Sequence, residues 1–549
     1  MEQMEFNLLD EPWIRVMTED CAVVECSLMQ VLLNSHRYQR LAGELPTQDV
    51  ALLRLLLAIL QTVFYRVDPE GEDDPIEDRA AAIRRWQALW NAGRFPVQPI
   101  RTYLETWKDR FWLFHPEHPF YQVPAAAVGT AYTAAKLNGE LSESSNKVRL
   151  FPVRAGSQKA HLSYAESARW LLYLNGFDDT SAKPKGKGLP SPGAGWLGKL
   201  GLFFAEGSTL FETLMLNLVL LREDRTIWTE PHPVWERERP KCDERTEIVI
   251  PDNQAELLTL QSRRLLLERD ENGVSGYRLL GGDFFQKINA TAEQMTVWER
   301  RKGKANEPPY DQPKRMDPDR LMWRDFGIIT GAEGAGRAPG IVSWITLLKK
   351  ERVLERNQMI HFRTAGVKYG DKDFFVEDIL RDYLDFRVDL LDDGGKIWSA
   401  LIGQEIEKTE RAAWFVGRLA EGIFKAEGGL PDSATQAASV RRAAQEFYAA
   451  VDLPFRNWLC SIDPVLGDAE ELRAEKALQW HETGYRIALQ QGKQMVRNAG
   501  ESAFTGRWIK DKKTDRESFL SSSTEYDRFV GSVRKCFQIT RPNEEVADE

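Results

Sequence analysis

The chain has 549 residues, of which 42% are hydrophobic and 28% charged, a balance typical of globular proteins rather than disordered chains. Its formal net charge of −10 argues against a free-standing DNA-binding protein, which usually carries a basic surplus that neutralises phosphates. Contact with nucleic acid would therefore depend on local basic loops and on partner molecules. Five scattered cysteines without a CxxC pair predict neither a disulfide framework nor a structural zinc site and favour a reducing cytoplasm: Cys21, Cys26, Cys242, Cys460 and Cys536.

The N-terminal part of the chain predicts a mixed α/β arrangement. NLLDEPWIRV, residues 7–16, predicts a turn followed by a strand, because its proline does not fit a helix interior. CAVVEC predicts a second strand, Ser27 the start of a short helix, and Thr47 the N-cap of a long apolar helix. The most apolar part of that helix, residues 50–65, is interrupted by Arg54 and is shorter than a membrane span. We therefore expect a core helix there, and the opening MEQMEFNLLDE is unlike a signal peptide.

The clearest helix signal lies in LSYAESARWLLYL, residues 162–174. Ser163 and Glu166 form an S-x-x-E capping box ahead of apolar residues at helical spacing. The helix is predicted to end near Asn175-Gly176. Farther along we expect a strand in LGLFFAEG, a buried helix over residues 210–221, a hairpin turn at Asn272-Gly273 and a polar loop over residues 299–318.

Beyond about Lys396 the pattern changes to long amphipathic helices. Four are predicted, over residues 397–426, 437–460, 468–498 and 523–537. We therefore predict an α+β protein, with a large mixed α/β domain over residues 1–395 and a C-terminal four-helix bundle over residues 396–549.

The stretch KPKGKGLPSPGAGWLGKLG, residues 183–201, matches two phosphate-binding motifs. Its glycines spell GxGxxG at 193–198, and GxxxxGK ends at Lys199. A dinucleotide fingerprint must follow a strand and open a helix, whereas these glycines follow a loop and precede a strand-like run. A P-loop needs Ser or Thr after its lysine, and Leu200 stands there instead. The residues favour a lysine- and glycine-rich loop, either solvated or in close approach to nucleic acid.

No pattern of catalytic or metal-binding residues stands out. His115 and His118 have H-x-x-H spacing, but no third ligand is near, and the surrounding prolines and aromatics favour packing. The sequence shows no Ser/His/Asp order, nucleophile elbow or carboxylate dyad. We predict no catalytic residue, no metal and no cofactor.

Several of these stretches occur in the same order in one family. NLLDEPWIRV, the RLLLAIL helix, HPEHPFYQ, the LSYAESARWLL helix, the Gly/Lys loop and LFETLMLNL together resemble CasA, the large subunit of the type I-E Cascade complex of CRISPR interference. The resemblance covers most of about the first 400 residues, and a helical bundle is also the family's C-terminal domain. It implies a non-enzymatic, cytoplasmic protein at the 5′ handle of a CRISPR RNA (crRNA).

The resemblance also implies a task and a set of partners. Family members recognise the protospacer-adjacent motif (PAM) in duplex DNA, help to open the duplex and recruit the helicase–nuclease that destroys the target. The protein reads a few base pairs and shape, while guide pairing reads the long sequence. The implied partners are target double-stranded DNA, crRNA, the other Cascade subunits and the helicase–nuclease, with no membrane.

The family's glycine loop, which approaches the minor groove, falls in the Gly/Lys stretch of this chain. By resemblance it corresponds to Gly186, Lys187 and Gly188, and a family lysine that enters the same groove corresponds to Lys287 in GGDFFQK. Minor-groove readout is degenerate, so we expect several PAM sequences to be tolerated.

The family's wedge hairpin, which splits the first base pair, resembles YGDKDFFV, residues 369–376. The corresponding residues are Tyr369, Gly370, Asp371, Lys372, Asp373 and Phe374. Where the family has a glutamine at the tip, this chain has Asp373, which when ionised donates no hydrogen bond and repels phosphate. Phe374 is then a candidate for insertion between bases, and the sequence does not decide whether the wedge acts through Phe374 or through Lys372. We expect a PAM preference that differs from that of better-known family members.

NKVRLF, residues 146–151, resembles the family segment that contacts the crRNA handle. Lys147 and Arg149 would meet phosphates, with Asn146 beside them. Phe151 would either stack on a base or serve as a core aromatic, and the sequence does not decide between the two.

Two other functions stay open beside the main prediction of a non-catalytic DNA-recognition subunit. A nucleotide-dependent enzyme would use the Gly-rich loop, residues 183–201. A purely architectural scaffold would have loops that never touch DNA. The acidic charge fits the main prediction, because the assembled ribonucleoprotein supplies affinity while a strongly basic free subunit would bind DNA indiscriminately.

Overall fold

The computed structural model describes residues 4–143, 148–304, 307–332, 336–430, 433–466, 470–510 and 517–540. These residues form a mixed α/β protein, as predicted, in two compact units. The first unit comprises the chain up to Pro318 together with Ile328–Leu354 and Ile360–Tyr383, and the second comprises Asp319–Gly327, Glu355–Met359 and the chain from Leu384. The predicted domain boundary between residues 395 and 396 concerns separately folding domains and stays a prediction.

The strands within the described ranges are short, and most of them lie in the first unit. In chain order they are β1 Glu5–Asn7, β2 Ile14–Thr18, β3 Val23–Cys26, β4 Tyr38–Leu41, β5 Trp112–Phe114, β6 Thr130–Thr133, β7 Leu202–Glu206, β8 Arg263–Asp270, β9 Gly273–Gly281, β10 Trp298–Arg301, β11 Tyr310–Pro313, β12 Met359–Tyr369, β13 Val376–Arg387, β14 Arg507–Lys510 and β15 Glu517–Leu520.

The helices in the same ranges alternate irregularly with these strands. They are α1 Leu28–Leu33, α2 Pro46–Arg66, α3 Arg79–Ala92, α4 Val97–Thr106, α5 Ala134–Leu137, α6 Tyr164–Phe177, α7 Leu210–Asn217, α8 Gln254–Leu258, α9 Phe326–Thr330, α10 Gly340–Lys350, α11 Lys396–Ala426, α12 Ala434–Cys460, α13 Glu470–Asn498, α14 Glu501–Thr505 and α15 Ser522–Cys536.

The described sheets contain two or three strands each. The three-stranded sheets have the orders β3-β2-β4, β6-β9-β8 and β13-β12-β7, and β1-β5, β10-β11 and β14-β15 are pairs. An extended parallel sheet, on whose carboxyl edge nucleotide-binding folds place the phosphates, is not found in these described ranges.

The N-terminal elements lie where the sequence predicts them. β2 and β3 pair antiparallel, and α1 follows directly. Ser27 caps α1: its Oγ accepts the Gln30 N–H at 3.2 Å, and the Gln30 side chain accepts the Ser27 N–H at 3.0 Å. This reciprocal capping box satisfies two helix-end donors that would otherwise lack partners.

Helix α2 forms the centre of the first unit's core. The prediction of Thr47 as its N-cap is wrong, because the helix begins at Pro46 with Leu45 as cap, and the fixed φ of proline suits the first helical position. Among the described residues α2 is long and apolar enough to cross a membrane by length and composition, but 94% of its most apolar window is buried inside the protein. Arg54 is buried there too, and its guanidinium donates to both carboxylate oxygens of Glu293 at 2.8 and 3.0 Å.

Two predictions for the middle of the chain are corrected by the structure. α7 ends at Asn217 rather than at residue 221, because the carbonyl of Val219 accepts hydrogen bonds from the Gln61 amide and the Trp228 indole outside the helix. The polar stretch 299–318, predicted as a loop, includes the β10-β11 pair. The β8-β9 hairpin and the S-x-x-E cap of α6 are confirmed.

The long helices of the second unit lie close to their predicted bounds. α11, α12, α13 and α15 bury aromatic and small residues against one another. The Trp480 indole donates to the Thr409 hydroxyl at 3.0 Å and packs edge-on against Phe455 at 4.8 Å between ring centroids. A Cβ on Gly492 would lie 2.5 Å from the Phe529 ring, so glycine permits that close approach. This unit also contains α14 and the β14-β15 pair, which the sequence did not predict.

Arg263, at the start of β8, connects the loops of the first unit from within the core. Its side chain is 1% exposed, and Nε donates to Asp178 Oδ2 at 2.6 Å. Nη2 donates to the carbonyls of Asp179 and Gly193 at 2.8 and 2.7 Å, and the backbone N–H donates to Asn175 Oδ1 at 3.0 Å. Burial raises the pKa of Asp178, and the Arg263 charge opposes that rise. One buried cation thus joins the end of α6, the Gly-rich stretch and β8.

We expect Arg263→Ala to lower the free energy of unfolding by about 3–5 kcal/mol, because it leaves the buried Asp178 carboxylate and several carbonyls without a donor. Denaturant unfolding followed by tryptophan fluorescence measures the loss. The matched control is Arg278→Ala on β9, whose half-exposed pair with Glu268 contributes about 1 kcal/mol or less. Equal losses for the two variants would contradict the role assigned to Arg263.

Candidate nucleic-acid interface

The segment Gly186–Gly188 adopts a backbone that favours glycine. Gly186 has a φ of +112° and Gly188 a φ of +82°, both in the left-handed region. A Cβ on Gly188 would meet open space, so the strain would come from the backbone and not from a clash. Lys187 between them is exposed and forms no ion pair with any residue in the described ranges. The segment therefore presents bare backbone and one free ammonium group to solvent.

The flanks of this segment are anchored to the rest of the first unit. The Lys183 carbonyl accepts the N–H of Gly281 at 3.0 Å, and Lys185 pairs with Asp243 at 3.0 Å. The Arg245 N–H donates to the Lys185 carbonyl at 3.3 Å, and the Arg245 side chain donates to the Pro190 carbonyl at 2.7 Å. An exposed tip is thus held between fixed ends.

The glycines of the phosphate-motif matches are explained by close packing. The Gly195 N–H donates to the Asp178 carbonyl at 2.9 Å, and a Cβ on Gly195 would lie 2.3 Å from the Gly176 carbonyl oxygen. A Cβ on Gly198 would lie 2.1 Å from the Tyr369 hydroxyl. Gly193 and Gly195 precede the short 3-10 turn Leu197–Lys199, Gly198 lies within it, and β7 follows. The next element is therefore a strand and not an α-helix, whose N-terminus could bind phosphates.

The predicted wedge, residues 369–374, forms the tip that connects β12 with β13. The Gly370 N–H donates to the Phe375 carbonyl at 2.8 Å, and the turn places Lys372 and Asp373 at φ of 55° and 59°. Asp371 and Lys372 are exposed, and half of the Phe374 surface is accessible at 50%. The geometry is that of a tight hairpin tip with one aromatic ring directed at solvent.

The negative charge at this tip is neutralised by a residue that the sequence analysis did not single out. Arg315 donates two parallel hydrogen bonds to the two carboxylate oxygens of Asp373, each at 2.8 Å. The hydrogen bond from Arg315 lowers the pKa of Asp373, and the charges of Lys287 and Lys199 lower it further. Asp373 is therefore ionised at neutral pH, and its paired carboxylate repels a nearby phosphate less than a free one would.

A cluster of cations lies where the Gly-rich stretch, the segment around Lys287 and the wedge meet. Burial lowers the pKa of Lys199 to about 8, and the positive charges of Arg263, Arg245, Lys287 and Arg315 lower it further. The wedge is tied to the chain just before the glycine segment, since the Thr180 N–H donates to the Asp373 carbonyl at 3.0 Å. The structure thus brings together three segments that the sequence places far apart. Sequence reasoning missed Lys199, Arg245 and Arg315 as members, because no local spacing marks them.

The predicted handle segment is solvent-exposed in the residues that the structure describes. Phe151 is 94% exposed and Leu150 90% exposed, so Phe151 is not a core aromatic. Arg149 anchors the segment: its backbone N–H donates to Glu143 Oε1 at 3.0 Å and its Nε to the Leu141 carbonyl at 2.7 Å. Asn146 and Lys147, the other predicted handle residues, lie outside the described residues.

The histidine pair shows no metal-binding arrangement. His115 Nδ1 accepts the N–H groups of Glu117 and His118 at 3.1 and 2.9 Å, so this nitrogen stabilises the local turn. In the described part of the chain no group of three or more His, Cys, Asp or Glu residues is placed to hold a metal ion.

Comparison with known proteins identifies the family. The family model described as CRISPR-associated protein Cse1 matches residues 7–491. A CasA/Cse1 protein of Thermus thermophilus is 31% identical over 336 residues, which span 60% of this chain and 61% of that relative.

Solved structures agree with this match. The crystal structure of Thermobifida fusca Cse1 superposes with a TM-score of 0.81 at 30% identity and covers 98% of this chain and 99% of that one. Cse1 of Acidimicrobium ferrooxidans has the same fold, with a TM-score of 0.76 at 23% identity over 98% of this chain and all of that one (100%). The chain therefore belongs to the CasA/Cse1 family of CRISPR-associated proteins, the family of the large subunit of type I-E Cascade.

Proposed function

We propose that this protein is the PAM-recognising large subunit of a crRNA-guided Cascade complex and that it has no catalytic activity of its own. The observation that supports the proposal is that Lys199 of the Gly-rich stretch, Lys287 and the wedge residue Asp373 interact within one cation cluster. Arg245 of that cluster donates its backbone N–H to the Lys185 carbonyl, next to the glycine segment. A surface that reads a short duplex element and then opens the duplex requires these parts side by side. The acidic remainder of the chain restricts phosphate contacts to that surface.

The glycine segment and Lys287 read the minor groove in this proposal. The absence of side chains on Gly186 and Gly188 lets the backbone approach the floor of a groove only about 6 Å wide in B-DNA. Lys187 and Lys287 are exposed and without ion pairs among the described residues, so their ammonium groups are available to groove acceptors and phosphates. A few contacts of this kind tolerate several PAM sequences, because the minor-groove pattern is degenerate.

The wedge opens the first base pair next to the PAM. Phe374 is the residue that inserts, since an apolar ring unstacks a base step without needing a specific partner. Asp373 takes the place of a glutamine in the family, and its ion pair with Arg315 fixes the tip. The pair reduces repulsion between the wedge and the strand it separates.

The exposed segment around Phe151 contacts the crRNA handle. An aromatic ring with 94% of its surface accessible is a stacking platform for an unpaired base. Arg149 retains N–H groups beyond the one bonded to Leu141, and these meet phosphates of the handle.

The second unit makes the contacts with neighbouring Cascade subunits. Its four long helices form a four-helix bundle in this proposal, and large apolar side chains stay accessible on it, including Trp414 at 60% and Leu453 at 59%. Exposed apolar groups of this size are typical of protein interfaces. The helicase–nuclease is recruited to the assembled complex, and no membrane is involved.

We expect Lys187→Ala with Lys287→Ala to reduce discrimination between preferred and disfavoured PAMs by about 1–3 kcal/mol, the size of one base-pair preference. The measurement is target-duplex binding by the crRNA-loaded complex, with and without this subunit, across a randomised PAM library. Arg84→Ala with Arg94→Ala removes the same charge from exposed positions and serves as the control. Binding that falls equally for every PAM would contradict groove reading and indicate phosphate contacts alone, and unchanged binding would favour a scaffold.

Asp373→Ala should release Arg315 and tighten binding to every duplex regardless of PAM. The freed guanidinium gains one phosphate contact, so the slope of log K against log salt should steepen by about 0.9. The control is Asp371→Ala, which removes the same charge from an exposed neighbouring residue. Asp371 forms no ion pair with any described residue. An identical salt slope for the two variants would show that the Arg315 pair does not shape the wedge.

Phe151→Ala should weaken incorporation of this subunit into the crRNA-loaded remainder of the complex by about 1–3 kcal/mol, the usual contribution of one stacked base. The melting temperature of the Phe151→Ala variant should equal that of the unchanged protein, because the Phe151 side chain is 94% exposed. Leu150→Ala, at 90% exposure, is the matched control that removes apolar surface without an aromatic ring. The assignment fails if the two variants lose affinity equally.

A further inference from the structure

Residues 243–248 form a connecting segment that lies against both flanks of Gly186–Gly188. The Arg245 N–H donates to the Lys185 carbonyl at 3.3 Å, and the Arg245 guanidinium donates to the Pro190 carbonyl at 2.7 Å. Lys185 precedes the glycine segment and Pro190 follows it. One residue of the connecting segment therefore holds the two ends of the exposed tip.

The same connecting segment pairs with the chain that leads to Lys287. The Phe284 N–H donates to the Thr246 carbonyl at 3.1 Å, and the Ile248 N–H donates to the Phe284 carbonyl at 2.9 Å. These hydrogen bonds form a short parallel bridge between Glu247 and Phe284. Lys287 follows Phe284 by three residues and is exposed. The position of Lys287 therefore depends on the connecting segment, as the position of the glycine segment does.

The Arg245 side chain contacts both of these parts. Its guanidinium carbon lies 3.6 Å from the centroid of the Phe284 ring, while the same guanidinium donates to the Pro190 carbonyl. A cation over an aromatic face is attracted by the ring quadrupole. A Cβ on Gly281 would lie 3.0 Å from Arg245 Cδ, so the end of β9 also packs closely against this side chain. Arg245 is only 6% exposed, and its planar group links the Gly-rich stretch to the Phe284 ring.

Arg245 is held by a carbonyl and a ring rather than by a carboxylate. It forms no ion pair with any residue in the described ranges. Burial and the charge of Arg263 lower the pKa of Arg245 to about 10, and Glu247 opposes this shift. Arg245 is therefore a cation at neutral pH. Its removal leaves no buried carboxylate without a partner, so we expect Arg245→Ala to fold.

We propose that Arg245 is a positioning residue that holds the glycine segment and Lys287 at a fixed relative position for reading one PAM, an inference that rests on the proposed function. Two groups discriminate between base pairs in one groove only when both reach their acceptors together, so the residues that support them must be rigid. Because Arg245 is buried, it acts through the glycine segment and Lys287 and does not itself contact a phosphate.

The first test is target-duplex binding by the crRNA-loaded complex with Arg245→Ala, across a randomised PAM library at several salt concentrations. Affinity for preferred PAMs should fall about tenfold while affinity for disfavoured PAMs stays the same, which is the size of one base-pair preference. The slope of log K against log salt should equal that of the unchanged complex. Unchanged discrimination would overturn the proposal. A slope shallower by about 0.9 would also overturn it, because Arg245 itself would then meet a phosphate.

Arg85→Ala is the matched control for a lost buried arginine. Arg85 is 5% exposed, and its guanidinium donates to the carbonyls of Phe64, Val67 and Asp74, which lie outside the reading segments. This variant should lower the melting temperature and keep PAM discrimination. An equal loss of discrimination in Arg85→Ala and Arg245→Ala would indicate general damage to the fold and overturn the proposal.

The double variant Lys187→Ala with Lys287→Ala separates the failure of this inference from that of the proposed function. If the double variant loses discrimination and Arg245→Ala keeps it, only the positioning role is wrong. If the double variant keeps full discrimination, the proposed function is wrong and the positioning role fails with it.

Hydrogen exchange of the full-length chain tests the link itself without DNA. The amides of Gly281 and residue 245 donate to the carbonyls of Lys183 and Lys185, and the amides of Phe284 and Ile248 report on the side of Lys287. In Arg245→Ala both pairs of amides should exchange about tenfold faster, because local opening becomes easier. Arg85→Ala should leave both pairs unchanged. Faster exchange on one side alone would overturn the proposal.

Discussion

The buried guanidinium of Arg263 is the constraint on which the loops of the first unit depend. It donates to the Asp178 carboxylate and the Gly193 carbonyl at once, and its side chain is only 1% exposed. The base of the Gly-rich stretch is therefore fixed, while the segment Gly186–Gly188 extends into solvent. A rigid base under an exposed tip is the arrangement that a reading loop needs, because positional precision comes from the supporting residues rather than from the loop itself.

Charge is distributed unevenly in this acidic chain, and local ion pairs determine which cations stay in excess. Around the wedge, Arg315 neutralises Asp373, which leaves Lys287 and Lys199 as the surplus. In the proposed function, fewer cations suffice than in a free DNA-binding protein, since guide pairing contributes affinity in a ribonucleoprotein. The partial burial of Lys199, whose pKa falls to about 8, marks it as a member of the supporting layer and not as a free phosphate ligand.

The sequence predicted those parts of the fold that depend on local chemistry. The helix start at Ser27 and the capping box at Ser163 were predicted correctly because each depends on residues that lie within four positions of one another. The start of α2 was mispredicted because both Pro46 and Thr47 suit a helix terminus, and the helix begins at Pro46. The end of α7 was mispredicted because a tertiary hydrogen bond to the Val219 carbonyl determines it. In the candidate site, the glycine segment and the wedge were assigned by family resemblance, and their roles stay predictions. Arg315 could not be predicted from the sequence, because only folding brings its guanidinium to the Asp373 carboxylate.

The contact between Tyr369 and the Gly-rich stretch has a mechanical consequence. The Tyr369 hydroxyl donates to the Phe177 carbonyl at 2.6 Å and leaves no room for a side chain on Gly198. The strand that ends in the wedge is thereby clamped onto the last turn of α6 and the base of the glycine stretch. In the proposed function, force applied by separating bases at Phe374 would be transmitted to the Gly-rich stretch, whose segment Gly186–Gly188 contacts the neighbouring base pairs. Strand opening and grip on the duplex would then act as a single lever, in which release of one end loosens the other.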